Sequence, residues 1–133
     1  MKKQQYSTIK SQVYKLNYHF VFCTRYRRKV LVDRVKDRLE NILIQFSSEQ
    51  GWEIINLEVK QDYCHFKISA PPNLSPSDIV AKIKRVTSRA LRHEFEHLHH
   101  LPSLWTRAFF VSTDPFLSSS LIQEYIQEQK TRG

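Results

Sequence analysis

An α+β sandwich built on one antiparallel sheet is the fold class this sequence predicts, and three observations predict it. Residues 13–25 alternate apolar and polar side chains with a period of two, the pattern of a strand with two different faces. Residues 32–50 and 76–92 instead repeat their apolar side chains every three or four positions, as helices do. Between the two helices, residues 52–60 and 62–70 form two further strand-like runs, separated too tightly for anything but a hairpin.

Each element has its own signals. In the first strand Tyr14, Leu16, Tyr18, Phe20 and Phe22 share one face, while Lys15, Asn17, His19 and Val21 share the other. A basic knot follows, Arg25-Tyr26-Arg27-Arg28-Lys29. The first helix carries Val32, Val35, Leu39, Ile42, Leu43 and Phe46 on one stripe and stops at Gly51, a residue suited to the left-handed C-terminal turn. In the third strand Tyr63, His65 and Lys67 fall on one face and Cys64, Phe66 and Ile68 on the other. Pro71-Pro72-Asn73 breaks the chain, and Ser75-Pro76-Ser77-Asp78 opens the second helix with Ser75 or Ser77 as cap. Its buried stripe is expected to be Ile79, Ile83, Val86 and Ala90. The helix fades in the polar run 92–100, residues 104–113 read as a fourth strand, and residues 118–130 as a last short helix. The order β-α-β-β-α-β-α is that of a ferredoxin-like sandwich with one extra C-terminal helix. Strands one and three are central neighbours in that topology, so His19 and His65 come within reach of each other if they share a face.

At 133 residues the chain fits a single domain, 1–133, with residues 1–12 expected to form a loose N-terminal arm. Only two glycines occur, and neither sits in a phosphate-cradling pattern, which argues against ATP and NAD sites. Cys23 and Cys64 form no CxxC pair and read as small core residues in a reducing cytoplasm. No run approaches the roughly 18 apolar residues of a membrane span. These features lead to the expectation of a cytoplasmic protein with no membrane partner. Lysine and arginine outnumber aspartate and glutamate by 21 to 13, a formal charge of +8. So large an excess on a small domain suits a polyanion, because each neutralised phosphate releases a counterion. Arg25, Arg27, Arg28 and Lys29, with Tyr26 among them, could grip phosphates and stack a base. Lys82, Lys84, Arg85, Arg89 and Arg92 form a second basic surface. The plainer reading of both is a solvated charged face.

Two constellations carry chemistry. Asp62-Tyr63-Cys64-His65 places a histidine on the third strand, and Tyr125 and Gln129 stand one turn apart on the last helix. Each alone is ordinary, because a strand histidine is usually a satisfied polar group and a helical tyrosine usually docks on a core. The second constellation, His93-Glu94-Phe95-Glu96-His97, satisfies H-E-x-x-H, in which two histidines one turn apart bind zinc and the glutamate activates water. It lies at a polar helix end before Leu101-Pro102, and a chain spent on a sandwich leaves little room for a peptidase cleft. A zinc peptidase is therefore a distant alternative.

Taken with the element order, the ordered motifs resemble one family over nearly the whole chain. They are the strand at 13–27, Asp62-Tyr63-Cys64-His65, the run 82–89, Leu104-Trp105, and Tyr125-Ile126-Gln127-Glu128-Gln129. The chain is similar to the single-tyrosine transposases of the IS200/IS605 insertion-sequence group, within the wider HUH endonuclease class. The resemblance implies that Tyr125 attacks a phosphodiester of single-stranded DNA at the element's ends, leaving a 5′-phosphotyrosine and a free 3′-OH. It implies a divalent ion, Mg²⁺ or Mn²⁺, held by two strand histidines and by Gln129. It further implies a homodimer, recognition of DNA hairpins, and an RNA-guided accessory nuclease encoded by the same element.

One position departs from that pattern. Where the family's His-hydrophobe-His should stand, this chain reads Tyr63-Cys64-His65, so a phenol replaces the first histidine. A neutral phenol, with its ordinary pKa of about 10, is a weak ligand for such an ion. Lys67 on the same face adds an opposing charge. Three readings follow: a weakened enzyme, a site rebuilt with Asp62 or His19 as the substitute ligand, or a catalytically inactive descendant that binds hairpin or single-stranded DNA.

Overall fold

A computed structural model describes residues 15–114 and 116–129. The N-terminal arm expected over residues 1–12 lies outside the described residues. Four strands, β1 (Leu16–Cys23), β2 (Glu53–Val59), β3 (Tyr63–Ala70) and β4 (Phe110–Ser112), form one antiparallel sheet in the order β2-β3-β1-β4. Three helices accompany them, α1 (Asp33–Glu49), α2 (Pro76–Glu94) and α3 (Ser119–Glu128), with short 3₁₀ turns at Arg25–Arg27 and Glu96–Leu98. This is the expected ferredoxin-like arrangement, with β1 and β3 paired at the centre from Leu16↔Ala70 to Cys23↔Tyr63.

The helix ends follow their sequence signals. At the end of α1, Gly51 takes φ +82°, its N–H donates to the Ser48 carbonyl, and the Trp52 N–H donates to the Ser47 carbonyl. These two bonds are the Schellman closure that a glycine makes easy. At the start of α2 the choice between two serines falls on Ser75: its Oγ accepts the Asp78 N–H at 3.1 Å and its N–H donates to Asp78 at 3.4 Å.

The two faces of the sheet bury different things. Tyr18, Phe20 and Phe22 of β1 and Cys64, Phe66 and Ile68 of β3 point into one core with Leu39 and Leu43 of α1 and Ile79 and Ile83 of α2. Phe66 stands edge-on to Phe22 at 5.2 Å and tilted against Phe20 at 5.5 Å. Burial of each such side chain is worth about 1.5–3 kcal/mol. The opposite face is covered by α3, whose Ile122 and Ile126 pack on Val21, Cys23 and Tyr63. Val21, predicted on the polar side of β1, is fully buried there because α3 lies over it.

Two expectations need correction. The fourth strand, predicted over 104–113, is only Phe110–Ser112. Its first half is drawn aside: Trp105 Nε1 donates to Thr87 Oγ1 at 2.9 Å, the Leu104 N–H donates to Ser88 Oγ at 3.2 Å, and Lys84 Nζ donates to the carbonyls of Thr106 and Ala108. Backbone groups satisfied by α2 are not available to a sheet partner, and only a bridge between Thr24 and Trp105 remains. For the same reason the buried stripe of α2 includes Thr87, Ser88 and Leu91, while Val86 and Ala90 are only half-buried. No helix among the described residues is long and apolar enough to cross a membrane.

Candidate active site on the α3 face

The site is built on the outward faces of β1 and β3. Their register sets Val21 opposite His65 and His19 opposite Lys67, so the two histidines are diagonal neighbours. Their rings lie 5.5 Å apart and 26° from parallel, and His19 Nδ1 faces His65 Nε2 at 3.3 Å. The apposition expected from the topology is present. Burial lowers the pKa of both imidazoles below the usual value; for His19 the neighbouring His65 and Lys67 lower it further. Two carboxylates pull the other way, Glu58 on His65 and Asp114 on His19. Both rings are therefore held towards the neutral form, which a metal ligand requires.

Tyr63 faces α3. It is 9% exposed, packs against Ile122 and Ile126, and its hydroxyl accepts Gln123 Nε2 at 3.4 Å. Asp62 is held by Arg27, whose Nε and Nη2 approach Asp62 Oδ2 at 3.0 and 2.9 Å. Arg27 Nη1 also donates to the Ile126 carbonyl at 2.7 Å. One guanidinium thus joins the end of β1, the start of β3 and the last turn of α3. The knot it belongs to is strained, with Tyr26 at φ 56° and Arg27 at φ 51°.

On α3, Ser118 caps the first turn through the Leu121 N–H. The Tyr125 ring lies against Phe110 of β4, 5.5 Å between centroids. Gln129, the C-cap, is 3% exposed, and its Oε1 is buried with no hydrogen-bond partner among the described residues. An unpartnered buried amide oxygen is costly unless something completes it. The two apposed imidazoles and the orphaned amide oxygen of Gln129 are each donor types that suit a divalent ion. No three His, Cys, Asp or Glu side chains among the described residues converge to hold one by themselves.

The basic residues divide into two groups. Arg27 is a clamp, Lys84 donates to carbonyls over the Phe22 and Phe109 rings, and Arg92 ties Ser88 to the Leu101 carbonyl. Burial pushes the Lys84 ammonium down to about 8. Tyr26, Arg28, Lys29, Arg85 and Arg89 are exposed, Arg25 and Lys82 half-exposed, and Arg28 lies over the Tyr26 ring at 5.2 Å. Beside α2, on the far side of the sheet from α3, Arg25, Arg85, Arg89, Arg92 and Arg107 line an open cavity of about 540 Å³, with no carboxylate among the described residues of its wall. Arg25 Nε is buried there without a partner among the described residues.

The H-E-x-x-H segment does not form a helical pair. α2 ends at Glu94, Phe95 turns to φ −112° and ψ 111°, and Glu94 is bound by Arg38 at 2.8 Å. His93 and His97 therefore do not share one helical turn.

Sequence reasoning missed Glu58, Gln123 and Asp114. Glu58 was accessible by counting back through the tight hairpin, since Val59↔Cys64 puts Glu58 opposite His65. Gln123 carried no signal until α3 was docked. Asp114 depends on the β4 register, which the sequence left undefined.

Comparison with known proteins gives the family and the fold. The family described as "Transposase IS200 like" matches residues 12–129. The ISDra2 transposase TnpA of Deinococcus radiodurans is 32% identical over 120 residues, spanning 88% of this chain and 86% of that protein. A crystal structure presented as that of a transposase from Deinococcus radiodurans R1 superposes with a TM-score of 0.81 at 37% identity, covering 87% of this chain and 92% of that one. A REP-associated tyrosine transposase bound to a REP hairpin shares the fold, with a TM-score of 0.55 at 16% identity over 83% of this chain and 61% of that one. With a family match over nearly its full length and a close relative among the transposases, the chain belongs to the IS200-like single-tyrosine transposases.

Proposed function

We propose that this transposase cuts and rejoins single-stranded DNA at insertion-sequence ends through Tyr125, with His65 and Gln129 holding a divalent ion, Mg²⁺ or Mn²⁺. The observation that carries the reading is that α3, with Tyr125 and Gln129, packs on the sheet face that presents His65 and His19. In the cleavage step Tyr125 Oη forms a bond to phosphorus and the bond from phosphorus to the 3′ oxygen breaks. The phenolic proton ends on that oxygen, leaving a 5′-phosphotyrosine and a 3′-OH. Bound at the site, the ion would supply Lewis-acid polarisation of the phosphate. The phosphotyrosine keeps the energy of the broken bond for rejoining. Arg27 holds the last turn of α3 to the sheet, and the exposed Arg28, Lys29, Arg85 and Arg89, with the half-exposed Arg25 and Lys82, are proposed to meet DNA phosphates, with Tyr26 stacking a base. The hairpin in the REP-associated relative supports hairpin ends as the substrate form. A homodimer and an RNA-guided nuclease from the same element complete the proposal.

The test is a covalent-adduct assay on labelled single-stranded end DNA with Mg²⁺ or Mn²⁺, resolved on a denaturing gel. A shifted band that disappears with EDTA and in Tyr125→Phe is expected. A second reading, a hairpin-binding protein without cleavage, draws on Tyr63, which is packed under α3 rather than left as an open ligand position. Native-gel binding with no covalent band at any metal concentration would establish that reading instead.

A further inference from the structure

We propose that His19, on the strand next to the altered motif, replaces the missing histidine, so that His19 Nδ1 and His65 Nε2 form a two-imidazole divalent-metal site. The inference deepens the metal assignment above and rests on it. Tyr63 is occupied elsewhere, since its ring packs under α3 and its hydroxyl is engaged by Gln123. Asp62 is also committed, its Oδ2 held by two nitrogens of Arg27. His19 alone among the candidate substitutes places a ring nitrogen beside His65, at 3.3 Å.

That separation falls within the range shared ligation allows. Two imidazole nitrogens, each about 2.1 Å from one ion, stand roughly 3.0 Å apart at an octahedral angle and about 3.4 Å at a tetrahedral one. Without an ion, the same two nitrogens are within hydrogen-bond distance of each other. His19 Nε2 is buried with no partner among the described residues, so the contact of Nδ1 with His65 is the polar contact that orients the ring. The charged groups around the pair are Lys67 on β3, directly across from His19, Glu58 on β2, opposite His65, and Asp114 beyond β4. Two carboxylates against one ammonium leave the surroundings favourable to a cation despite Lys67.

The donor chemistry also sets a preference. Imidazole nitrogen favours Mn²⁺ and, more strongly, Co²⁺ over Mg²⁺, which prefers oxygen. A pair of strand imidazoles with one amide oxygen should therefore discriminate against Mg²⁺.

The experiment is a Co²⁺ titration of the full chain without DNA, followed by the ring resonances of each histidine in long-range ¹H–¹⁵N spectra. The spectra resolve the sheet pair from any loose binding at His93, His97, His99 and His100. Paramagnetic loss of His19 and His65 together is expected, with affinity at that pair reduced 10- to 100-fold in both His19→Ala and His65→Ala and unchanged within twofold in Tyr63→Phe. Loss at His65 alone, or an affinity insensitive to His19→Ala but abolished by Tyr63→Phe, overturns the proposal. Should His19→Ala fail to fold, His19→Gln supplies the same measurement with the ring removed and a polar group kept. The adduct assay separates the metal pair from the cleavage chemistry. Adduct formation with Mn²⁺ that is indifferent to His19 leaves the transposase reading standing and this one refuted. Co²⁺ binding at the pair with no adduct in any variant does the reverse.

Discussion

The two faces of the sheet are made from the same strands yet follow different rules. The face under α1 and α2 is aromatic and aliphatic throughout, with Phe20, Phe22, Phe66 and Ile68 fully buried. The face under α3 mixes Val21 and Ile126 with His19, His65, Tyr63 and Gln129, and it holds buried polar atoms that lack partners among the described residues. The first arrangement maximises apolar burial and so carries stability. The second leaves polar groups incompletely satisfied under a ten-residue helix held by Ile122, Ile126, the Gln123–Tyr63 bond and Arg27, which costs stability and leaves groups available for a ligand. Within one sheet, the side that holds the fold together and the side proposed to carry the chemistry are separated by the thickness of a strand.

The contrast can be broken by measurement. The largest expected effect is on the packed face: Phe66→Ala should cost about 3–5 kcal/mol in urea unfolding, because its ring fills a site between Phe20 and Phe22 that cannot collapse. Arg27→Ala should cost less, about 1–3 kcal/mol, by removing the Asp62 ion pair and the bond to the Ile126 carbonyl. Its signature is local, with amide exchange in α3 accelerated while α2 keeps its protection. Equal acceleration in both helices would show that the faces do not open independently. Tyr125→Phe should change stability by less than about 1 kcal/mol, since the ring contact with Phe110 survives, while removing the covalent adduct entirely. Arg85→Ala and Arg89→Ala should each lower the slope of log affinity against log salt for DNA by about one, without effect on unfolding.

A further effect concerns pH. Burial holds the Lys84 ammonium at about 8, below its ordinary value of 10.5. Between those values the unfolded chain carries a proton that the folded one has lost, so stability should rise as pH increases through this window. Below pH 8 the cost of burying the charge is fully present. The rise should disappear in Lys84→Met, and a rise unchanged in that variant would assign it to another group.

Legibility from the sequence differed between the same two faces. The packed face was readable almost residue by residue, because period-two and period-3.6 patterns report which side of an element is apolar. Gly51 was readable for a similar reason, meeting a backbone requirement within a few residues of itself, and the cap of α2 was narrowed to Ser75 or Ser77. The α3 face was readable in its parts but not in its arrangement. His19, His65, Tyr125 and Gln129 all stood out, and the family resemblance connected the last three; the place of Tyr63 under α3 and its bond from Gln123 did not stand out. The basic residues looked alike as a sequence, yet Lys84 is inward and Arg85, its neighbour, is outward.

By itself, then, the sequence determined the element order, the core-facing sides of α1, β1 and β3, the C-terminal stop of α1, and the family. Each of these depends on interactions within a few residues or on a pattern spread along the chain. Only the tertiary structure decided that β4 shrinks to three residues, that Arg27 clamps α3, and that His19 meets His65 at 3.3 Å. Those outcomes depend on strand register and on side chains competing for backbone groups far away in sequence. The β1–β3 pairing joins residues 46 positions apart, and a slip of one residue would turn one histidine to the opposite face.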